Sequence, residues 1–308
     1  LLWQELLFSG DMTSLYTHKS ENIKRTWILF SSFLIIIIGL GFVISQAYGD
    51  PTILYVAVIF SSVMSITSFW YSDKIVLKMA GAEPIEKKDN PELYRIVENL
   101  SITAGLPTPR IYIVPEDAPN AFATGRDEKH AVVAVTRGLL QRLDKTELEG
   151  VIAHELSHIG NKDMLVSTVA VILVGFVSII ADMFLRSMFF GRRDNDRQGG
   201  GIIVMIGLIL SILTPIIANL INLAISRRRE FLADTSGALL TRYPEGLISA
   251  LQKISKDQTP MARASSATAH LWLESPFKNN DGKNWLAKLF MSHPPVEERV
   301  KALRGISI

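Results

Sequence analysis

Cysteine is absent from the 308 residues. Its absence excludes disulfides, thiolate nucleophiles and every cysteine-ligated metal site, and leaves histidine, aspartate and glutamate as the available protein metal ligands. A charge imbalance is also lacking, with 32 Lys and Arg against 30 Asp and Glu and a net charge of +2. Clustered basic residues backed by a recognition motif are missing too, so no nucleic-acid partner is expected. Neither an internal repeat nor a low-complexity tract breaks the chain. Apolar residues are plentiful: 48% of positions are hydrophobic while 20% are charged. That mixture fits neither a disordered tail nor a bundle wholly buried in lipid, so the chain needs a lipid part and a water part.

Four apolar runs, at 27–48, 52–71, 164–184 and 201–225, are long enough to cross a hydrocarbon core of about 30 Å, which takes roughly 20 helical residues. The first has Trp27 and Tyr48 at its edges and turns through Gly49, Asp50 and Pro51 into the second, so the two read as a helical hairpin. The first run is longer than the apolar core of a cleaved signal peptide. Asp182 in the third run and Pro215, Asn219 and Asn222 in the fourth make that pair less oily, and a buried soluble helix pair is the competing reading. Lys19, Lys24 and Arg25 precede the first run, Lys74 and Lys78 follow the second, and Arg227, Arg228 and Arg229 follow the fourth, which places those flanks in the cytoplasm. Arg186, Arg192, Arg193 and Arg197 between the third and fourth runs dissent, so the second hairpin either crosses twice or dips in and returns. Residues 1–11 lack an initiator methionine ahead of Met12 and are set aside as a candidate non-native extension.

From Lys74 onward the composition turns polar. Asn90, Pro91 and Glu92 predict a helix start, and Gly105 its end. The segments 110–114, 121–124 and 131–136 are short and partly β-branched, separated by prolines, Gly125 and a charged turn, which predicts a small antiparallel sheet. Asp144 with Glu147 three residues on is a capping-box signature for a helix running through Leu148, Val151 and Ile152. Further helices are predicted over 230–240 and 245–256, followed by a loop around 276–282.

His154, Glu155 and His158 spell HExxH inside the predicted helix. Residues four apart differ by about 40° around a helix, so both imidazoles can reach one ion with Glu155 beside them. Catalytic zinc needs a third protein ligand. A histidine six residues further on is ruled out by Met164, and the glycine expected with it is Asn161. A downstream glutamate is the other common solution, and Glu230 fits it, with Asp234 one turn on to orient a ligand imidazole. His158 stands six residues before the third apolar run and Glu230 five after the fourth, so a hairpin that returns brings both ligand helices to one membrane face.

HELSH, the ExxAD pattern at Glu230, two amino-terminal spans and a hydrophobic hairpin between the ligand motifs resemble the HtpX family of bacterial membrane zinc endopeptidases. They are also similar to the CAAX prenyl-protein endopeptidases, which share the metal motifs. The likeness runs from about Met12 to the end of the chain. It implies one Zn2+ per subunit held by His154, His158 and Glu230, with Glu155 as catalytic base. It also implies that Asn120, Ala121 and Phe122 form the edge strand on which substrate backbone is laid out, an ordinary edge strand being the alternative. His293, in Ser292, His293, Pro294, Pro295, matches an element near the metal that stabilises the oxyanion.

The fold class expected is therefore a mainly α integral membrane protein with four hydrophobic helices and a zincin-like α+β metalloprotease domain containing the small antiparallel sheet. It divides into a segment 1–26, a transmembrane hairpin 27–71, a first catalytic part 72–163, a second hairpin 164–225 and a second catalytic part 226–308. The expected activity is zinc-dependent endopeptidase cleavage of polypeptides, with misfolded membrane proteins as the implied substrates, at the cytoplasmic face of a bacterial inner membrane. The stretch Lys145, Thr146, Glu147, Leu148, Glu149 is too polar for lipid, which argues against a site inside the bilayer. A membrane scaffold that holds zinc without turnover is the rival from another class.

Overall fold

The computed structural model describes residues 12–173, 175, 227–263, 268–276 and 294–306. Helix α1 (Met12–Tyr48) turns at Gly49, whose φ of 67° suits glycine, and leads into α2 (Thr52–Trp70). Gly41 lets the two helices touch, because a Cβ there would lie 2.3 Å from the Ala57 Cβ. Ile35, Phe42, Tyr55, Ile59, Val63 and Ile66 point outward from this pair and are more than half exposed. The segments Asn22–Gln46 and Thr52–Trp70 are long and apolar enough to cross a bilayer. They are two of the four spans expected; the third run is described only at its beginning, and 201–225 lies outside the described residues.

Helix α3 (Ser72–Ala80) and strand β1 (Glu83–Pro84) lead to α4 (Pro91–Ala104). Asn90 caps α4 by accepting the Leu93 N–H at 3.0 Å, Pro91 begins it where no N–H is needed, and Gly105 ends it in the left-handed region. Strands β2 (Arg110–Val114), β3 (Ala121–Thr124) and β4 (Val132–Thr136) complete a sheet of order β1-β2-β4-β3. The sheet is mixed, which corrects the antiparallel sheet expected: β4 runs parallel to β2 and antiparallel to β3. The chain passes from β2 to the far edge, forms β3, and returns through Gly125 and a 3-10 turn into the slot between them. The apolar run of β4, buried at all five positions, suits a central strand covered on both faces.

The larger core lies between this sheet, α4, α5 (Arg137–Arg142) and α6 (Lys145–Gly160), and is closed by α8 (Arg227–Thr241), α9 (Pro244–Lys256) and α10 (Val296–Arg304), with α7 (Asp163–Leu173) leaving toward the apolar helices. Leu93, Val97, Ile111, Val133, Ile152, Leu156 and Leu251 meet there. Each such side chain, fully buried, contributes about 1.5–3 kcal/mol. A second cluster joins α1 to α7 through Leu29, Phe33, Val166, Val169 and Leu173.

Candidate metal centre

Helix α6 starts where its capping box says it should. The Asp144 carboxylate accepts the Glu147 N–H at 3.0 Å, and the Glu147 carboxylate accepts the Asp144 N–H at 2.9 Å. Glu147 also accepts from Ser249 and from Lys253, which pins α9 to the start of α6. Glycine sets how closely the neighbours approach. A Cβ on Gly150 would lie 2.6 Å from the Leu247 nitrogen, and one on Gly237 would lie 2.9 Å from the His154 nitrogen. With Gly237 bare, α8 rests directly against the His154 turn of α6, and Glu230 and Asp234 come within reach of the imidazoles.

The Nε2 atoms of His154 and His158 stand 3.2 Å apart. A Glu230 carboxylate oxygen lies 3.7 Å from the first and the other lies 3.6 Å from the second. Each imidazole is held at its other nitrogen: His154 Nδ1 is 2.9 Å from Asp234 Oδ1, and His158 Nδ1 is 3.1 Å from Asp163 Oδ2. Carboxylates accept and do not donate, so the ring hydrogens belong on Nδ1, and in the neutral form that can bind a metal both Nε2 lone pairs face Glu230. Three electron-rich groups aimed at one point repel unless a cation lies among them. Ligand atoms about 2.0–2.1 Å from a tetrahedral centre are separated by about 3.3 Å, which the observed spacings approach, so this donor set fits zinc.

The residues behind the donors are nearly dry. Asp234 and Arg299 are 1% and 0% exposed. Arg299 donates from Nε and Nη2 to the two Asp234 oxygens at 2.8 and 2.6 Å. Burial alone would raise the Asp234 carboxyl, but the Arg299 charge and hydrogen bonds, with those of His154, hold it down to about 2. Burial likewise opposes a charged His158, yet the Asp163 hydrogen bond and the charges of Glu230, Asp163 and Glu155 outweigh it and push that imidazole up to about 9. The ligand point is strongly attractive to positive charge.

Glu155 is buried and lines one cleft with His154, His158, Glu230, Ala123, Leu271 and Leu273. Asn120 immediately precedes the edge strand β3, which Ala121 and Phe122 begin. The Ala121 carbonyl accepts the Leu273 N–H at 2.9 Å, while the Asn120 amide donates to the Glu274 carbonyl at 2.8 Å and accepts the Glu274 N–H at 3.1 Å. The chain's own 273–274 segment therefore occupies that end of the edge. Because the Asn120 carbonyl faces β4, accepting the Thr136 N–H, alternation turns the peptide groups of Ala121 and Ala123 outward. Phe122 faces the protein instead, edge-on to Trp272 with ring centroids 4.8 Å apart. His293 lies outside the described residues.

Sequence reasoning did not find Asp163 or Arg299. Asp163 folds back onto His158 because Lys162, at φ 59°, reverses the chain just past the end of α6. A polar pair beside the helix end was its only signal. Arg299 gave none, because a cation inside an ordinary charged helix reads as solvated until burial is seen.

HExxH on one helix, joined by a carboxylate from a second helix and braced by carboxylates behind it, defines the site as a metal-dependent hydrolase centre. Comparison with known proteins supplies the family. The model of peptidase family M48 matches residues 87–307. A "Protease HtpX homolog" of Caldanaerobacter subterraneus subsp. tengcongensis is 44% identical over 302 residues, covering 96% of this chain and 99% of its own. Another so named, from Tropheryma whipplei strain Twist, is 44% identical over 291 residues, covering 94% and 98%. The crystal structure of S. mikatae Ste24p aligns with 95% of this chain and 67% of its own at 16% identity and a TM-score of 0.48. The chain belongs to peptidase family M48 and is a metalloendopeptidase.

Proposed function

We propose that this peptidase is a zinc enzyme anchored in the membrane, in which His154, His158 and Glu230 hold one ion and Glu155 is the general base. The convergence of the two Nε2 atoms and the Glu230 carboxylate within 3.7 Å of one another, with both Nδ1 atoms held by carboxylates, is the observation that carries this reading. Zinc held by these three residues would supply Lewis-acid chemistry for the scissile carbonyl and for activating water near neutral pH. Glu155 accepts a proton from the attacking water and returns it to the departing amine as the C–N bond breaks. Asp234 and Asp163 keep the ligand imidazoles in the Nδ1–H tautomer, and Arg299 balances the buried Asp234 charge. Because Leu273 and Glu274 already engage Asn120 and Ala121, substrate backbone would pair at the Ala123 end of the edge strand that follows Asn120, Ala121 and Phe122, and His293 stabilises the oxyanion.

On the same reading α1 and α2 anchor the protein in a bacterial inner membrane, and the catalytic domain is made of two parts, 72–163 and 226–308, separated in the chain by the apolar runs. The lysine and arginine flanks put the cleft on the cytoplasmic side. Its substrates are polypeptides, misfolded membrane proteins foremost, which fits a quality-control role.

Metal content and cleavage of a misfolded membrane protein, measured in detergent with and without chelator, test the chemistry. Wild type should bind one zinc and cleave until chelated. Glu155→Gln should keep the metal and lose cleavage by about a thousandfold or more, and His154→Ala should lose both. Undiminished proteolysis by Glu155→Gln would overturn the assignment.

A further inference from the structure

Among the described residues of helix α1, Asn22 brings a polar side chain to the neighbourhood of the ligands. Asn22 is 4% exposed, and a buried amide is costly unless its hydrogen bonds are met. Its Nδ2 donates to the Asn161 carbonyl at 3.1 Å and to Asp163 Oδ1 at 2.6 Å, and its Oδ1 accepts from Arg229 Nη1 at 3.3 Å. These partners lie 139, 141 and 207 residues away along the chain. Asn161 and Asp163 flank the reversal after α6, and Arg229 immediately precedes Glu230.

The Asp163 carboxylate is thus fixed at both oxygens, Oδ1 by Asn22 and Oδ2 by His158. Arg229 is the competitor, with Nε 3.9 Å from the same Oδ1. If the amide were removed, the carboxylate would be free to swing toward the guanidinium and away from the His158 ring. An amide suits this position because one small planar group both donates to Asp163 and accepts from Arg229, keeping the two apart.

We propose that Asn22 is a positioning residue of the metal centre, acting through Asp163 on His158, so that the first apolar helix is a working part of the site as well as an anchor. The inference rests on His158 being a metal ligand, as proposed above. It treats Asn22 as orienting a ligand and not merely as gluing α1 to the domain.

The full-length chain in detergent carries the test. Zinc affinity is measured by competition with a chromophoric chelator, and ligand geometry by the visible spectrum of the cobalt-substituted protein. Asn22→Ala should bind zinc about 10-fold or more weakly, shift the cobalt bands, and lower kcat with KM unchanged. Asn22→Asp fills the same space but replaces the donor with an oxygen, and should weaken binding at least as much. Thr26→Val, one turn on, deletes a buried hydroxyl that bonds only the helix's own backbone, at 3.0 Å to the Asn22 carbonyl, and should stay within about twofold of wild type. Wild-type zinc affinity and an unchanged cobalt spectrum in either Asn22 variant would overturn the proposal. So would an equal loss in Thr26→Val, since that would mark a general loosening of α1. If His158→Ala holds zinc as tightly as wild type, the ligand assignment fails and takes this inference with it. If His158→Ala loses zinc and the Asn22 variants do not, the inference alone falls.

Discussion

Replacing Gly237 by alanine sets two effects of known size against each other. Helix propensity favours alanine by about 1 kcal/mol at an interior position. The new Cβ, however, would stand 2.9 Å from the His154 nitrogen, 3.1 Å from its Cα and 3.2 Å from the Ala153 carbonyl carbon. These are backbone atoms of α6, which cannot rotate aside. Ordinary contact needs at least about 3.4 Å, so α8 must retreat from α6 by about 0.5 Å, and overpacking of that kind costs about 1–3 kcal/mol. Contact should win, leaving the protein up to about 2 kcal/mol less stable. The sharper consequence falls on the ligands. Glu230 sits on α8 and already lies 3.6–3.7 Å from the two imidazoles on α6. A further 0.5 Å, roughly, moves it beyond the spacing a tetrahedral ion tolerates, so zinc affinity should fall by about 10-fold or more. Gly39→Ala in α1 is the control, since nothing lies within 4 Å of its added Cβ. Chelator competition and denaturant unfolding in detergent measure both quantities. A Gly237→Ala protein with wild-type zinc affinity and about 1 kcal/mol of added stability would refute the close-approach argument.

Two further outcomes follow from groups behind the site. Arg299→Met removes the cation from a fully buried pair and leaves Asp234 without its main partner, so stability should drop by about 3–5 kcal/mol in denaturant unfolding; a loss below about 1 kcal/mol would show that the pair is not buried as described. Burial pushes the Glu147 carboxyl up, but hydrogen bonds from Lys253, Ser249 and the Asp144 backbone outweigh it and hold the group below its ordinary 4.5. Its contribution is therefore complete above that value and lost as pH falls through the lowered folded one, so Glu147→Gln should flatten the decline of stability below about pH 5, and an unaltered pH profile would remove Glu147 from the account.

The parts legible in the sequence are those governed by local rules. Asn90 and Gly105 bound α4, Asp144 and Glu147 start α6, and a four-residue spacing puts His154 and His158 on one helical face. Glu230 and Asp234 were expected beside the histidines because zinc would need a third ligand and a carboxylate pair stood at the right periodicity, and both carboxylates do lie against the imidazoles. Strand partners were not legible, because spacing along the chain marks the strands without saying which will be neighbours; the buried run of β4 was the one hint that it lies inside the sheet. Asp163, Arg299 and Asn22 act only through contacts with residues distant in the chain or across a reversed turn. Each is an unremarkable polar residue until the elements are packed.

Asn120 and its neighbour tie Leu273 and Glu274 to one end of strand β3, and this shapes how any client could be gripped. Only the far end of that strand, around Ala123, meets the cleft. A visiting polypeptide would find a handhold one or two peptide units long, made of main chain and bordered by leucines. Such a grip tests whether a stretch is extended and oily, and is nearly blind to its spelling. If the membrane anchorage proposed above holds, selectivity would then reside in access: proteins that have come undone next to the bilayer would present themselves, and well-folded neighbours, however rich in suitable bonds, would pass unread.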